Sequence, residues 1–457
     1  MSPYRLYLLI CGLGSFASRT AFTLNLIYQA TVVGLSPLQL VLVGTVMETV
    51  CFLAQVPTGV LADLVSRRLS VIVGYALMGA GLLVWGLLPS FAAILVANVI
   101  WSIGAVCVDG AEEAWAADEI DPDRVTAAFL RGGQFAQAGG LLGILAAVAL
   151  ATAGLAVPIV AGGILTLGLA ALLMIFMTER WRPTETGSWR SMGRQVAAGA
   201  RQVRHSALLA GVVAGTFFAG LSSEGFDRLS QPFLLPFTGG RPVELVFGGL
   251  AVLAALGSIA MTGLLGRWLD PKTAEAAPVP AGAAATAGAA ATAGAAATAG
   301  AAGAAGAAGP AGLSARRAGW LVAGVEAGTA AGMICFGMAG EWWVAVALYL
   351  VVLLLRGASG PILSIWLVSA TAPGSRATVF SIQAQADALG QIAGGPPAGL
   401  VAQRRSIGAG ISVAGLFLLP AVALFGWAAR QASSSGTGAD LGTPEKALPE
   451  PLPGIDR

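Results

Sequence analysis

Three carboxylates, Asp109, Glu112 and Glu113, stand within five residues of one another in a run that is otherwise almost free of charge. On one continuous helix, Asp109 and Glu113 would share a face, and Glu112 would lie three residues from Asp109. Carboxylates packed that closely in a low dielectric cannot cheaply all be ionised. Groups of this kind are suited to take up and release a proton, so the chemistry they point to is proton coupling. Static neutralisation by Arg19 or Arg131 is the competing reading.

A second cluster holds Glu224, Asp227 and Arg228. Glu224 and Arg228 are four apart and suited to pair with each other on a helix. That pairing leaves Asp227 as a further proton-coupling candidate, with Glu224 beside it and Arg228 as the compensating charge. Glu48, Glu326, Arg356 and Asp387 are other ionisable groups inside apolar runs, where each is expensive and therefore a candidate.

A third constellation is the turn that contains Gly59, Asp63, Arg67 and Arg68. Asp118 and Glu119 are expected at the same membrane surface. An ion pair between Asp118 and this turn, broken and remade during a cycle, would act as a conformational latch. As a static surface pair it would contribute little. Phosphate-binding glycine loops, metal-ligand spacings and nucleophile elbows do not occur in the sequence. The reading is therefore no catalytic residue, no cofactor, no metal and no enzyme. Cys11, Cys51, Cys107 and Cys335 fall in apolar runs without ligand spacing and read as packing residues.

The elements that must hold these groups follow from composition. The chain has 457 residues, 56% of them hydrophobic and 11% charged, with a mean hydropathy of +0.79. A water-soluble domain cannot hide that much apolar surface. The net charge of +2 gives no footprint for a nucleic-acid partner. Apolar runs of about 20 residues, the length that crosses a ~30 Å hydrocarbon core, predict twelve transmembrane helices. They must be helices because lipid offers the backbone no hydrogen bonds. The expected class is an all-α membrane protein. Arginines concentrate in 62–68, 178–206 and 267–317, which puts those connections and both termini in the cytoplasm.

The chain also repeats itself. Thr58 to Leu61 matches Thr262 to Leu265 at a separation of 204, and Arg124 with Thr126 matches Arg376 with Thr378 at 252. Two parallel six-helix halves are implied, 1–177 and 207–429, joined by a cytoplasmic linker 178–206. The change in separation places a low-complexity Ala/Gly/Thr insert at 271–314, expected to be a flexible cytoplasmic loop. Residues 430–457 read as a disordered tail. Glycines at 132, 133, 139, 140 and 143, with Gly390, Gly394, Gly395, Pro396 and Pro397 in the matching helix, suit close helix contacts or sliding. Trp85, Trp101, Trp115 and Trp366 are candidates for lining an apolar cavity or for helix contacts.

Gly59, Leu61, Ala62, Asp63, Arg67 and Arg68 match the signature loop between the second and third spans of the major facilitator superfamily, with Leu64 and Ser66 departing from it. The stretches Asn25 to Gly44, Gly110 to Glu119 and Glu224 to Leu229 resemble the bacterial drug:proton antiporters related to tetracycline and macrolide efflux proteins. The fifth-span glycine motif of those antiporters lacks its proline here, and the fourth span lacks a basic residue. The resemblance implies the two-bundle major facilitator fold, the bacterial inner (plasma) membrane and export of amphipathic compounds against inward proton flow. The partners expected are a small-molecule substrate, protons and the lipid bilayer, with the protein acting as a monomer. Uptake of a polar solute is the alternative within transport. A membrane sensor is the alternative from another class.

Overall fold

The computed structural model describes residues 1–64, 66–180, 201, 203–269, 315–371 and 376–431. Side chains of 56, 57, 59–64, 262, 265–269 and 377 lie outside that description. So do most of the linker, the whole insert 271–314 and the tail beyond 431, together with the expectations placed on them.

Short polar turns separate the helices, and serines cap the starts of five of them. The Ser66, Ser90, Ser206 and Ser406 side chains each accept a hydrogen bond from the backbone N–H three residues on. Ser36 and Gln39 form a reciprocal capping box, with the Ser36 N–H donating to Gln39 Oε1 at 2.9 Å. The resulting helices are α1 (Pro3–Phe22), α2 (Asn25–Thr31), α3 (Pro37–Leu64), α4 (Arg67–Leu87), α5 (Phe91–Val108), α6 (Ala111–Glu119), α7 (Pro122–Ala151) and α8 (Val157–Phe176). The second half holds α9 (Ala207–Leu234), α10 (Val243–Leu269), α11 (Ala315–Gly337), α12 (Trp342–Ala370), α13 (Arg376–Arg404), α14 (Ile407–Phe417) and α15 (Leu419–Gln431).

Several spans are helix pairs, namely α1 with α2, α5 with α6, and α14 with α15. Among the described residues, eleven such stretches are long and apolar enough to cross a membrane. The twelfth span is α13. It has the length, but Gln383, Gln385, Asp387, Gln391 and two prolines make it too polar to register by composition. It survives as a span because protein covers it, with α3, α9 and α14 packed around it. Leu53, Leu142, Leu145, Ile164, Ile175 and Trp343 are exposed on the outside, where a bilayer solvates them.

The two halves repeat one packing plan. In the first, α1 lies along α7; in the second, α9 lies along α13. Glycine permits both contacts. Gly139 sits on the backbone of Gly12, and Gly390 and Gly394 sit on the backbone of Phe217 and Leu221.

The chain alternates between two ends of the bundle, here the terminal face (Pro3, Arg67, Gln431) and the distal face (Pro37, Trp342, Ile407). At the terminal face each half has its own apolar core. One is built on Leu6, Ile10, Trp115 and Leu173, the other on Leu209, Val322, Trp366 and Phe425. At the distal face the first half keeps one core of its own, built on Phe22, Trp85, Trp101 and Ile159, and another core spans both halves, joining Leu24, Ile27, Val41 and Ala151 to Phe226, Leu229, Phe247 and Phe336. The cross-half contacts agree with this division. Gly399 packs on Leu38 and Val41, and Gly248 on Val148. The distal face is thus sealed. Toward the terminal face, Gln385 still reaches Gln55 across the halves, donating at 2.8 Å.

Candidate functional site

The acidic trio lies at a break in its span. Asp109 leaves the helix with φ −58° and ψ 124°, Gly110 follows at φ +74°, and α6 begins at Ala111. Only glycine adopts that positive φ without strain. The expectation of one continuous helix face is therefore corrected, since Asp109 and Glu113 are not related by a helical turn. They remain neighbours across the kink at Gly110, four residues apart, and Glu113 bears on Asp109. Glu112 and Glu113 occupy the first turn of α6 and complement its positive end. Glu113 also lies against the Gly110 N–H, a capping arrangement.

Around the trio stand neutral groups. The Tyr75 hydroxyl donates to Glu112 Oε2 at 2.8 Å. Tyr7 and Cys11 border Glu112, and Gln55 borders Asp109. Glu113 Oε2 is buried without a hydrogen-bond partner. Arg19, the expected compensating charge, packs its stem on Gly140 and Gly143 of α7. It lies two turns beyond Cys11 along α1, about 12 Å by helical rise. Arg131 is exposed on the outside of α7.

The second cluster is larger than its sequence suggested. Arg228 Nε donates to Glu224 Oε1 at 2.7 Å, and both side chains are buried. Asp227 is not left over. Arg356 of α12 grips it with two nitrogens, Nη2 donating to Oδ2 at 2.9 Å, while the guanidinium lies 5.4 Å over the Phe226 ring. Glu326, bound by the Ser359 hydroxyl, and Asp387, accepting from Gln391 at 2.8 Å, also bear on Arg356. Carboxylates from α9, α11 and α13 therefore converge on one arginine from α12. Arg356, Glu326 and Asp387 were visible as lone intramembrane charges, but nothing in the sequence joined them.

The terminal-face constellation is partly described. Arg67 bonds Asp118 and donates to the Ala114 carbonyl at 3.4 Å; Arg68 donates to the Met174 carbonyl at 2.9 Å. The surroundings of Gly59 and the Asp63 side chain lie outside the description. Sequence reasoning missed Glu179, which sits just past α8. Its carboxylate accepts from the Ser66 hydroxyl at 2.5 Å and from the Arg67 and Arg68 N–H groups at 2.8 and 3.2 Å. It therefore caps α4 from another segment. Trp115 Nε1 donates to the Thr178 carbonyl at 2.7 Å and pins the same segment. Glu179→Ala is expected to lower stability by about 0.5–2 kcal/mol, the range of a lost N-cap. Glu179→Gln, which keeps one acceptor, should lose less. Apparent melting temperature in detergent measures both.

Trp85, Trp101, Trp115 and Trp366 are buried within single-half cores and serve as helix contacts. Among the described residues, no three His, Cys, Asp or Glu side chains are grouped so as to hold a metal.

Buried charges on broken or polar spans, two helix bundles and a seal at one face together describe a carrier. The family model "Major Facilitator Superfamily" matches residues 8–305, well over half of the chain. The chain belongs to that superfamily. Similar solved structures include a bacterial homologue of the human lysosomal transporter Spinster in an inward-facing, unoccupied conformation. It is 17% identical, with 94% of this chain and 97% of that one covered and a TM-score of 0.65. The nucleoside transporter NupG is 11% identical, with 95% and 98% covered and a TM-score of 0.63. The human organic anion transporter MFSD10 (TETRAN) is 16% identical, with 93% and 100% covered and a TM-score of 0.55. These likenesses show the fold. No curated protein matches the chain. The protein is a multi-pass membrane transporter of small molecules, not an enzyme.

Proposed function

We propose that this transporter exports amphipathic small molecules from a bacterial cell in exchange for protons, with the terminal face cytoplasmic. The observation that supports this most is the niche at the α5–α6 break. Three carboxylates share it with Tyr7, Cys11, Tyr75 and Gln55. Such a niche exchanges protons with an opening at the terminal face. Competition between proton and substrate for adjacent carboxylates then gives antiport. The Arg67–Asp118 pair, already made here within the first half, would with Asp63 form a terminal-face latch that breaks and re-forms as the carrier changes state.

Uptake of a polar solute is the second reading. The polarity of α13, with Gln383, Gln385, Asp387 and Gln391, favours it. Two of the similar structures carry nucleosides and organic anions.

Reconstituted vesicles with an imposed pH gradient test both. Gradient-driven movement of an amphipathic cationic dye against the proton flow supports export. Gradient-driven accumulation of a radiolabelled nucleoside supports the second reading. No gradient dependence with either probe overturns proton coupling. In the export case, Asp109→Asn, Glu112→Gln or Glu113→Gln is expected to abolish uphill movement, a drop of at least tenfold, while downhill exchange persists. If all three keep wild-type gradient dependence, together with Asp227→Asn, protons do not travel through these residues.

A further inference from the structure

Within the largely apolar distal seal, one ion pair lies at the boundary between the halves. The Glu224–Arg228 pair of α9 is pushed against the other half, into a notch where α3 has Gly44. A methyl group at position 44 would overlap both the Glu224 carboxylate and the Arg228 guanidinium. Gly395 of α13 closes the notch from the side, between Thr45 and Glu224. Arg228 Nε is held by Glu224, which leaves its terminal nitrogens to point across the interface. Nη2 lies 3.8 Å from Met47 Sδ, and Glu48, wholly buried on the next turn of α3, is within its electrostatic reach. Asp227, on its own helix, is engaged by Arg356.

We infer that Arg228 is the cross-half latch of the distal face and that Glu224 is its positioning residue. The guanidinium is carried by the second half but reaches α3 of the first. Gly44 is the vacancy that admits it. Opening the distal face must withdraw Arg228 from this notch and expose it to water. Its contacts on α3 are thus made in one state and lost in the other, which is what a residue needs in order to bias the two. Sequence reasoning placed a latch only at the opposite face, around Arg67 and Asp118.

The inference rests on the two-state transport reading, and spin-label distances separate the two claims without any substrate. Labels at Thr152 and Arg405, exposed on the distal ends of opposite halves, are introduced after replacing the four native cysteines. Distances are then measured by pulsed electron resonance in lipid nanodiscs. The wild type should be dominated by a short distance, with a minor longer one. Arg228→Met should raise the long-to-short ratio at least tenfold, and Arg228→Lys should return it toward wild type. Gly44→Ala reads the same contact with every charge kept, so it serves if Arg228→Met fails to fold. It should also shift the ratio toward the long distance. Two distances in the wild type with neither variant shifted would overturn the latch alone. One distance in every variant would overturn the latch and the two-state reading together.

Discussion

Gly394→Leu is expected to leave no folded, monodisperse protein in detergent extracts. Position 394 of α13 lies on the backbone of Leu221 of α9, so even a single Cβ has no room. Overpacked cores usually lose about 1–3 kcal/mol because side chains can shift. Here the obstacle is main chain, and relief requires α9 and α13 to separate. That contact is the spine of the second half. Its repeat counterpart predicts the same outcome, since Gly139→Leu would strike the Gly12 carbonyl and part α1 from α7. Gly324→Leu is the control, because nothing lies near a Cβ there. Fluorescence-detected size exclusion of tagged protein distinguishes the cases. A normal peak for Gly394→Leu would refute the close approach.

Glycine spacing made these two helices conspicuous in the sequence, but it left tight packing and sliding equally open. The partner backbone, about 170 residues away for Gly394, is what decides. The same division between local and remote information runs through the molecule. Apolar runs of about 20 residues read as spans because lipid forces the helix. The Glu224–Arg228 pair was legible because its partners are one helical turn apart. The Asp227–Arg356 grip joins residues 129 apart, and no local pattern encodes it. Glu179 went unread because it follows α8 in what looked like linker, while its task lies at the start of α4. The break at Gly110 was hidden for another reason. A single glycine inside a long apolar run is compatible with a helix, and only the surrounding packing selects its positive φ.

Arg356→Met is expected to be the most damaging change among the charged residues of the second half. The arginine is three-quarters buried and neutralises Asp227, itself almost wholly buried. Its removal leaves that carboxylate facing Glu326 and Asp387 with no cation between them. Breaking a buried pair from one side costs about 3–5 kcal/mol, chiefly from the charge left behind. The stacking of the guanidinium on Phe226 is lost as well, on the order of 1 kcal/mol. Asp227→Asn should be milder, because Arg356 keeps Glu326 and Asp387 within reach. Combining Asp227→Asn with Arg356→Met removes both charges and should cost less than the sum of the single changes. The coupling in that double-mutant cycle is expected to exceed about 1 kcal/mol. Apparent melting temperatures of the four proteins in one detergent provide the measurement. Additive losses would mean that Arg356 and Asp227 are neighbours without being partners, and that Arg356 is held by Glu326 and Asp387 instead.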